Sequence, residues 1–145
     1  MREHCDQCGA DWPEGESCDH YFGLCLAEEQ GQPDYYTVHH LIVPAFMLQH
    51  NRYSRTGWLE THRLLGQMLD ELTWAEARQQ ITRDQRQQKK KISLIKGPKL
   101  DGVDAITWSE TIAAVRLDSA EHYCADVRRW AASVWADSSP LLERA

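Results

Sequence analysis

The spacing Cys5-Asp6-Gln7-Cys8-Gly9, followed by a third cysteine at position 18, constrains this chain more than any other feature. A C-x-x-C turn closed by glycine aims two sulfurs at one point, and thiolates are ligands that zinc favours. Gly9, Asp11, Pro13 and Gly15 fill the interval to Cys18 with residues that prefer turns to regular structure. The opening segment therefore reads as a metal knuckle leading into a helix, and three thiols call for one further ligand. The cysteines number five, an odd count, and MREHCDQ carries no apolar leader, so metal or thiol chemistry is favoured over a disulfide framework.

Periodicity points to the missing ligand. Ser17 can cap a helix over 18–29 in which Cys18, Phe22 (or Tyr21), Cys25 and Glu29 fall three and four residues apart, on one side of a cylinder. Gly31, Pro33 and Asp34 interrupt it, and a second helix over 35–49 is apolar almost all round, as a central buried helix would be. Pro44 predicts a kink there, or a helix that begins near Val43. Folded as an antiparallel hairpin about residue 33, the two helices set Cys18 beside His50. The expected site is a structural Cys3His zinc centre of Cys5, Cys8, Cys18 and His50. His20 and His62 compete for the fourth position. His39 stands about 16 Å from His50 along one continuous helix, too far to share its ion.

Farther along, Trp58, His62, Leu65, Leu69 and Leu72 form a core stripe on a third helix. Thr73 and Glu76 predict a polar fourth helix to Gln88, with Trp74, Ala77 and Ile81 as its packing residues, and Lys89–Lys91 as a solvated basic end. Residues 89–103 read as an irregular, mobile loop. Capping patterns at Thr107–Glu110 and Asp118–Glu121 predict a short helix over 108–115 and a long one over 119–137, with Tyr123, Val127, Trp130 and Val134 on one face and Trp135 beside it. The architecture expected is all-α, a five- to six-helix bundle with an N-terminal zinc knuckle. A single domain is expected: knuckle 1–17, helical core 18–88, loop 89–103, C-terminal helices 104–138.

Function classes can be narrowed. Sixteen basic against 22 acidic side chains give a net charge of −6, which opposes binding to nucleic acid. The longest apolar run, Leu41 to Leu48, is far short of a bilayer span, so a cytoplasmic protein without a membrane partner is expected. GPKLDG lacks a phosphate-binding pattern. Cys25 and Cys124 sit on packing faces and read as buried apolar residues. Tryptophan is abundant at six residues, of which Trp58, Trp74, Trp108, Trp130 and Trp135 sit on or near predicted helix faces and are open to a core or a partner-groove role. The first reading is an interaction or regulatory module with a protein partner. A second is a zinc-dependent hydrolase with His39 and His62 in a cleft beside Gln49 and with Glu60 or Asp70 nearby, His39, His62 or Glu60 acting as acid or base. A third is a thiol-redox protein using Cys5 and Cys8.

The order of motifs, from C-x-x-C-G and Cys18 through VHHLIV (38–43), LQH (48–50) and His62 to RRWAASVW (128–135), resembles a bacterial family of small proteins catalogued as a domain of unknown function. The resemblance spans nearly the whole chain. It implies that Cys5, Cys8, Cys18, His39, Gln49, His50 and His62 carry the family signature, whereas His20, Cys25 and His40 do not. It implies a metal-binding helical fold and no particular activity. This chain departs from the pattern at Pro44 and at Asn51, where the family often has proline after Gln-His.

Overall fold

The computed structural model describes residues 3–70 and 94–144. Two short strands, β1 (Glu3–His4) and β2 (Asp11–Trp12), pair antiparallel with Glu3 opposite Trp12 and His4 opposite Asp11. The C-x-x-C-G segment is the turn between them. Cys5 N–H donates to the Ala10 carbonyl and Gly9 N–H to the Cys5 carbonyl, both at 2.8 Å. Gly9 takes φ 87°, a left-handed backbone that a side chain would strain.

Ser17 caps α1 (Cys18–Gly31), its hydroxyl accepting the His20 N–H at 3.1 Å. The helix expected over 35–49 is instead two: α2 (Pro33–Tyr36), which opens on its proline, and α3 (His39–Gln49). The Thr37 hydroxyl donates to the Asp34 carbonyl at 3.1 Å across the break. Pro44 lies inside α3 and does not begin it. Proline in a helix interior costs about 3 kcal/mol. Burial of Leu41, Ile42, Phe46 and Leu48 offsets this at about 1.5–3 kcal/mol for each side chain.

The helix α3 is central, packed on α4 (Arg55–Asp70) and on α5 (Ala120–Ser138). Against α1 it runs antiparallel in one register, centred on residue 34. Cys18 meets His50 at one end, Phe22 stacks on Phe46 at 4.0 Å between ring centres, and Glu29 meets His39 at the other end. Trp58, His62 and Leu65 of the expected α4 stripe are buried and Leu69 is half-buried, while Leu72 lies outside the described residues. So does the expected fourth helix with Trp74 and Lys89–Lys91.

The described part of the expected mobile loop, residues 94–103, is pinned over the start of α4. Ser54 N–H donates to the Leu94 carbonyl at 2.6 Å and Arg55 N–H to the Pro98 carbonyl at 2.7 Å. Leu100 and Val103 are buried, the latter opening a 3-10 turn (Val103–Ala105). The helix expected over 108–115 is only a second 3-10 turn (Ile112–Ala114), capped by Thr111. Tertiary partners prevent a longer one: the Ser109 N–H and hydroxyl both bind the Asp137 carboxylate, at 2.7 and 2.9 Å. The Glu110 carbonyl meanwhile accepts from Gln49 at 2.7 Å. The last long helix, α5, has Ser119 as its cap, one residue after the Asp118 of the sequence pattern: the Ser119 hydroxyl accepts the His122 N–H at 3.1 Å, while the Asp118 carboxylate meets the His122 ring at 2.9 Å. It buries Tyr123, Val127, Trp130 and Val134 on the expected face and is followed by α6 (Pro140–Arg144). Among the described residues the fold is mostly helical, and none of these helices is long and apolar enough to cross a membrane.

Candidate metal centre

Cys5, Cys8, Cys18 and His50 come together with one ligand atom each, all within 4.8 Å of one another. Zinc bound at about 2.3 Å to each of two thiolates would set the sulfurs about 3.8 Å apart. The Cys8 and Cys18 sulfurs are 3.5 Å apart. Cys8, Cys18 and His50 are buried, and Cys5 is half-buried at the edge.

Each group is delivered by a local device. The glycine turn places Cys5 and Cys8, and the Ser17 cap makes Cys18 the first residue of α1. His50 is set by the way α3 ends. Asn51 adopts φ 51°, its N–H donating to the Leu48 carbonyl at 3.3 Å, and Arg52 N–H donates to the Met47 carbonyl at 3.0 Å. These two bonds about a left-handed residue form a Schellman cap, which asparagine tolerates. Arg52 then reaches the Asp19 carboxylate with both contacts at 3.1 Å, tying the end of α3 to the start of α1.

The imidazole is oriented for coordination. Its Nδ1 lies 2.8 Å from the Phe46 carbonyl, which can only accept, so Nδ1 carries the proton. The ring also stacks on Phe46 at 4.1 Å. Nε2 is left for the three sulfurs, and it is buried without a hydrogen-bond partner among the described residues. A histidine fixed by a carbonyl on one nitrogen and offering the other is the usual form of a metal ligand. Thiols and imidazole suit zinc and other soft or borderline ions rather than magnesium or calcium.

The electrostatics concentrate negative charge on one sulfur. Cys18 is held well below the usual thiol range, first by the hydrogen bond from Cys8 and then by the Trp12 indole N–H, 3.2 Å away, against the opposing effect of burial. Cys8 is correspondingly pushed up as the partner that keeps the proton, with burial adding to the effect.

A family model described as a family of unknown function (DUF5946) matches residues 3–139. The chain belongs to that family. No curated protein and no solved structure matches it. The DUF5946 match takes in all four clustered residues together with His39, Gln49 and His62.

The other candidate histidines are placed elsewhere. His39 Nδ1 meets the buried Glu29 carboxylate at 2.7 Å, and the same carboxylate accepts the Tyr123 hydroxyl. His62 is stacked between Trp58 and Trp135, its Nε2 donating to the Trp135 carbonyl at 3.2 Å, and burial lowers its pKa. Tyr123 and Trp135 stand twelve residues apart on α5, about 18 Å at the helical rise, so the two histidines do not share a cleft. Gln49 bridges Trp130 and the Glu110 carbonyl, Glu60 pairs with Arg63, and His20 is exposed. Cys25 is fully buried, which pushes its thiol up to about 12. Cys124 is half-buried, its sulfur 3.4 Å from the Asp34 carbonyl.

Three residues around the centre escaped sequence reasoning. Trp12 shields Cys18 and packs on Tyr21 at 5.2 Å. Phe46 holds His50, and its position one turn earlier on the same helix face was the available signal. Gln7, between the two knuckle cysteines, accepts from the Trp108 indole at 3.1 Å through its carbonyl. With its amide turned to satisfy both neighbours, it donates to Asp104 at 3.3 Å and to the His50 carbonyl at 3.1 Å.

Proposed function

We propose that Cys5, Cys8, Cys18 and His50 bind one zinc ion as a structural staple, and that the chain serves as an interaction or regulatory module. The observation that carries this reading is the buried Nε2 of His50, without a hydrogen-bond partner among the described residues and beside three sulfurs, with Nδ1 fixed by the Phe46 carbonyl. Zinc supplies Lewis acidity that keeps the thiols deprotonated and cross-links the segments bearing them. Four protein donors complete a tetrahedral sphere, the arrangement of structural sites, whereas catalytic sites keep a position open for water. The use of His39 and His62 in packing supports the same choice.

Metal content per chain tests it, by elemental mass spectrometry on untagged protein purified without chelator. The expected result is one zinc in the native chain and in His62→Ala, and none in His50→Ala. Zinc retained by His50→Ala would overturn the ligand set. A native chain without metal would overturn the whole reading.

A further inference from the structure

The four donors are not equally covered. Cys8 and Cys18 are each 5% exposed, whereas Cys5 is only half-buried and is the thiol-bearing residue of the cluster most open to solvent. Cys5 and Cys8 share one short turn, and their sulfurs lie within 4.8 Å. Cys18 is restrained differently, by the Trp12 indole and by its place at the start of α1. The turn is also mechanically connected, because Gln7 within it holds Trp108 and Asp104 from the C-terminal half.

We propose that the knuckle is an oxidation site at which a peroxide joins Cys5 to Cys8, expels the metal and loosens the Trp108 segment. This rests on the zinc reading and adds its regulation. The Cys5 thiolate attacks one oxygen of hydrogen peroxide, an S–O bond forms as the O–O bond breaks, and hydroxide leaves. The Cys8 thiolate then attacks the Cys5 sulfur, an S–S bond forms and the hydroxyl departs as a second hydroxide. Two thiolates lose two electrons, one peroxide gains them, and two solvent protons convert both hydroxides to water. With two of four donors consumed, zinc leaves Cys18 and His50, and the reshaped turn no longer presents the Gln7 carbonyl to Trp108.

The test uses the full zinc-loaded chain, whose metal content is measured before hydrogen peroxide is added. A chromogenic zinc chelator then follows release, and fragment mass spectrometry locates the oxidised sulfurs. The expected outcome is loss of the bound zinc in step with loss of two hydrogens from a linked Cys5–Cys8 pair. A dithiol reductant with added zinc should restore it, and Cys124→Ala should release zinc at the native rate. Tryptophan emission should change together with release. Zinc retained while Cys25 or Cys124 oxidises, or release with a link through Cys18, would overturn this proposal and leave the zinc reading standing. A chain that holds no zinc before peroxide would overturn both.

Discussion

The staple makes a quantitative demand on stability. An ion shared by Cys18 and His50 closes a loop of about thirty residues between α1 and the end of α3, and in the chain-entropy treatment such a cross-link is worth about 4 kcal/mol. His50 also stacks on Phe46 at 4.1 Å, a contact worth about 1 kcal/mol with or without metal. The two contributions separate if native protein and His50→Ala are each unfolded in urea, with and without a strong chelator, and followed by far-ultraviolet circular dichroism. The stacking loss appears in both arms and cancels. The chelator-sensitive part of the unfolding free energy, about 4 kcal/mol in the native protein, should vanish in the variant, a change equivalent to roughly 13 °C in melting temperature for a chain of this size. An equal chelator effect in native protein and variant would refute the argument, since the metal would then not be tied to α3.

Other perturbations test the scaffold. At Gly57 an added Cβ would stand 2.6 Å from the Leu94 carbonyl oxygen and 2.8 Å from its Cα. Gly57→Ala should therefore destabilise by about 1–2 kcal/mol, overpacking outweighing the usual helix gain of about 1 kcal/mol, and a raised urea midpoint would contradict the contact. Asn51→Pro cannot keep φ 51° or the N–H bond to Leu48. It should lose about 3 kcal/mol and weaken zinc retention, both absent if the cap does not set His50. Burial, with Arg128 and His39 beside it, pulls His40 down to about 4, and burial lowers His62, both from 6.5. The unfolded chain then takes up protons that the folded chain refuses, so stability should fall as pH drops below 6.5. Urea midpoints of the chelated protein at decreasing pH read this, and His40→Gln should flatten the slope. A midpoint that rises on acidification would contradict it.

What was legible in the sequence was what local spacing controls. The glycine turn, the Ser17 cap and the three-four stripes of α4 and α5 follow from short-range stereochemistry. The Cys18–His50 juxtaposition followed from one further step, folding two helices about the Pro33 region. Where long-range partners decide, the reading missed. Ser109 and Glu110 have a helix-starting pattern, yet Asp137 and Gln49 capture them, and a 3-10 turn results. Pro44 would normally end a helix, yet the apolar surroundings of α3 carry the backbone through it. Gln7 is an unremarkable polar residue in one dimension, and its contacts with Trp108 and Asp104 arise only once the C-terminal half returns to the knuckle.

The same geometry explains why the metal should matter more to one part of the molecule than to another. The β1–β2 hairpin has two residues in each strand and buries only Cys8 and Ala10 in its turn and Trp12 in β2, far less than an isolated hairpin needs to persist in water. In contrast α3, α4 and α5 carry the fully buried Phe46, Trp58, Tyr123 and Trp130, packed with α1 and α2, and offer no donor to the centre other than His50 at the end of α3. Metal removal should thus release the hairpin and the Trp108 contact while the helices hold. Amide exchange should speed up far more at Cys5 and Gly9, whose N–H groups close the turn, than at the centre of α3, which loses only the staple's share of the global stability. Equal acceleration in both places would show that the centre supports the whole fold and not the knuckle that carries it.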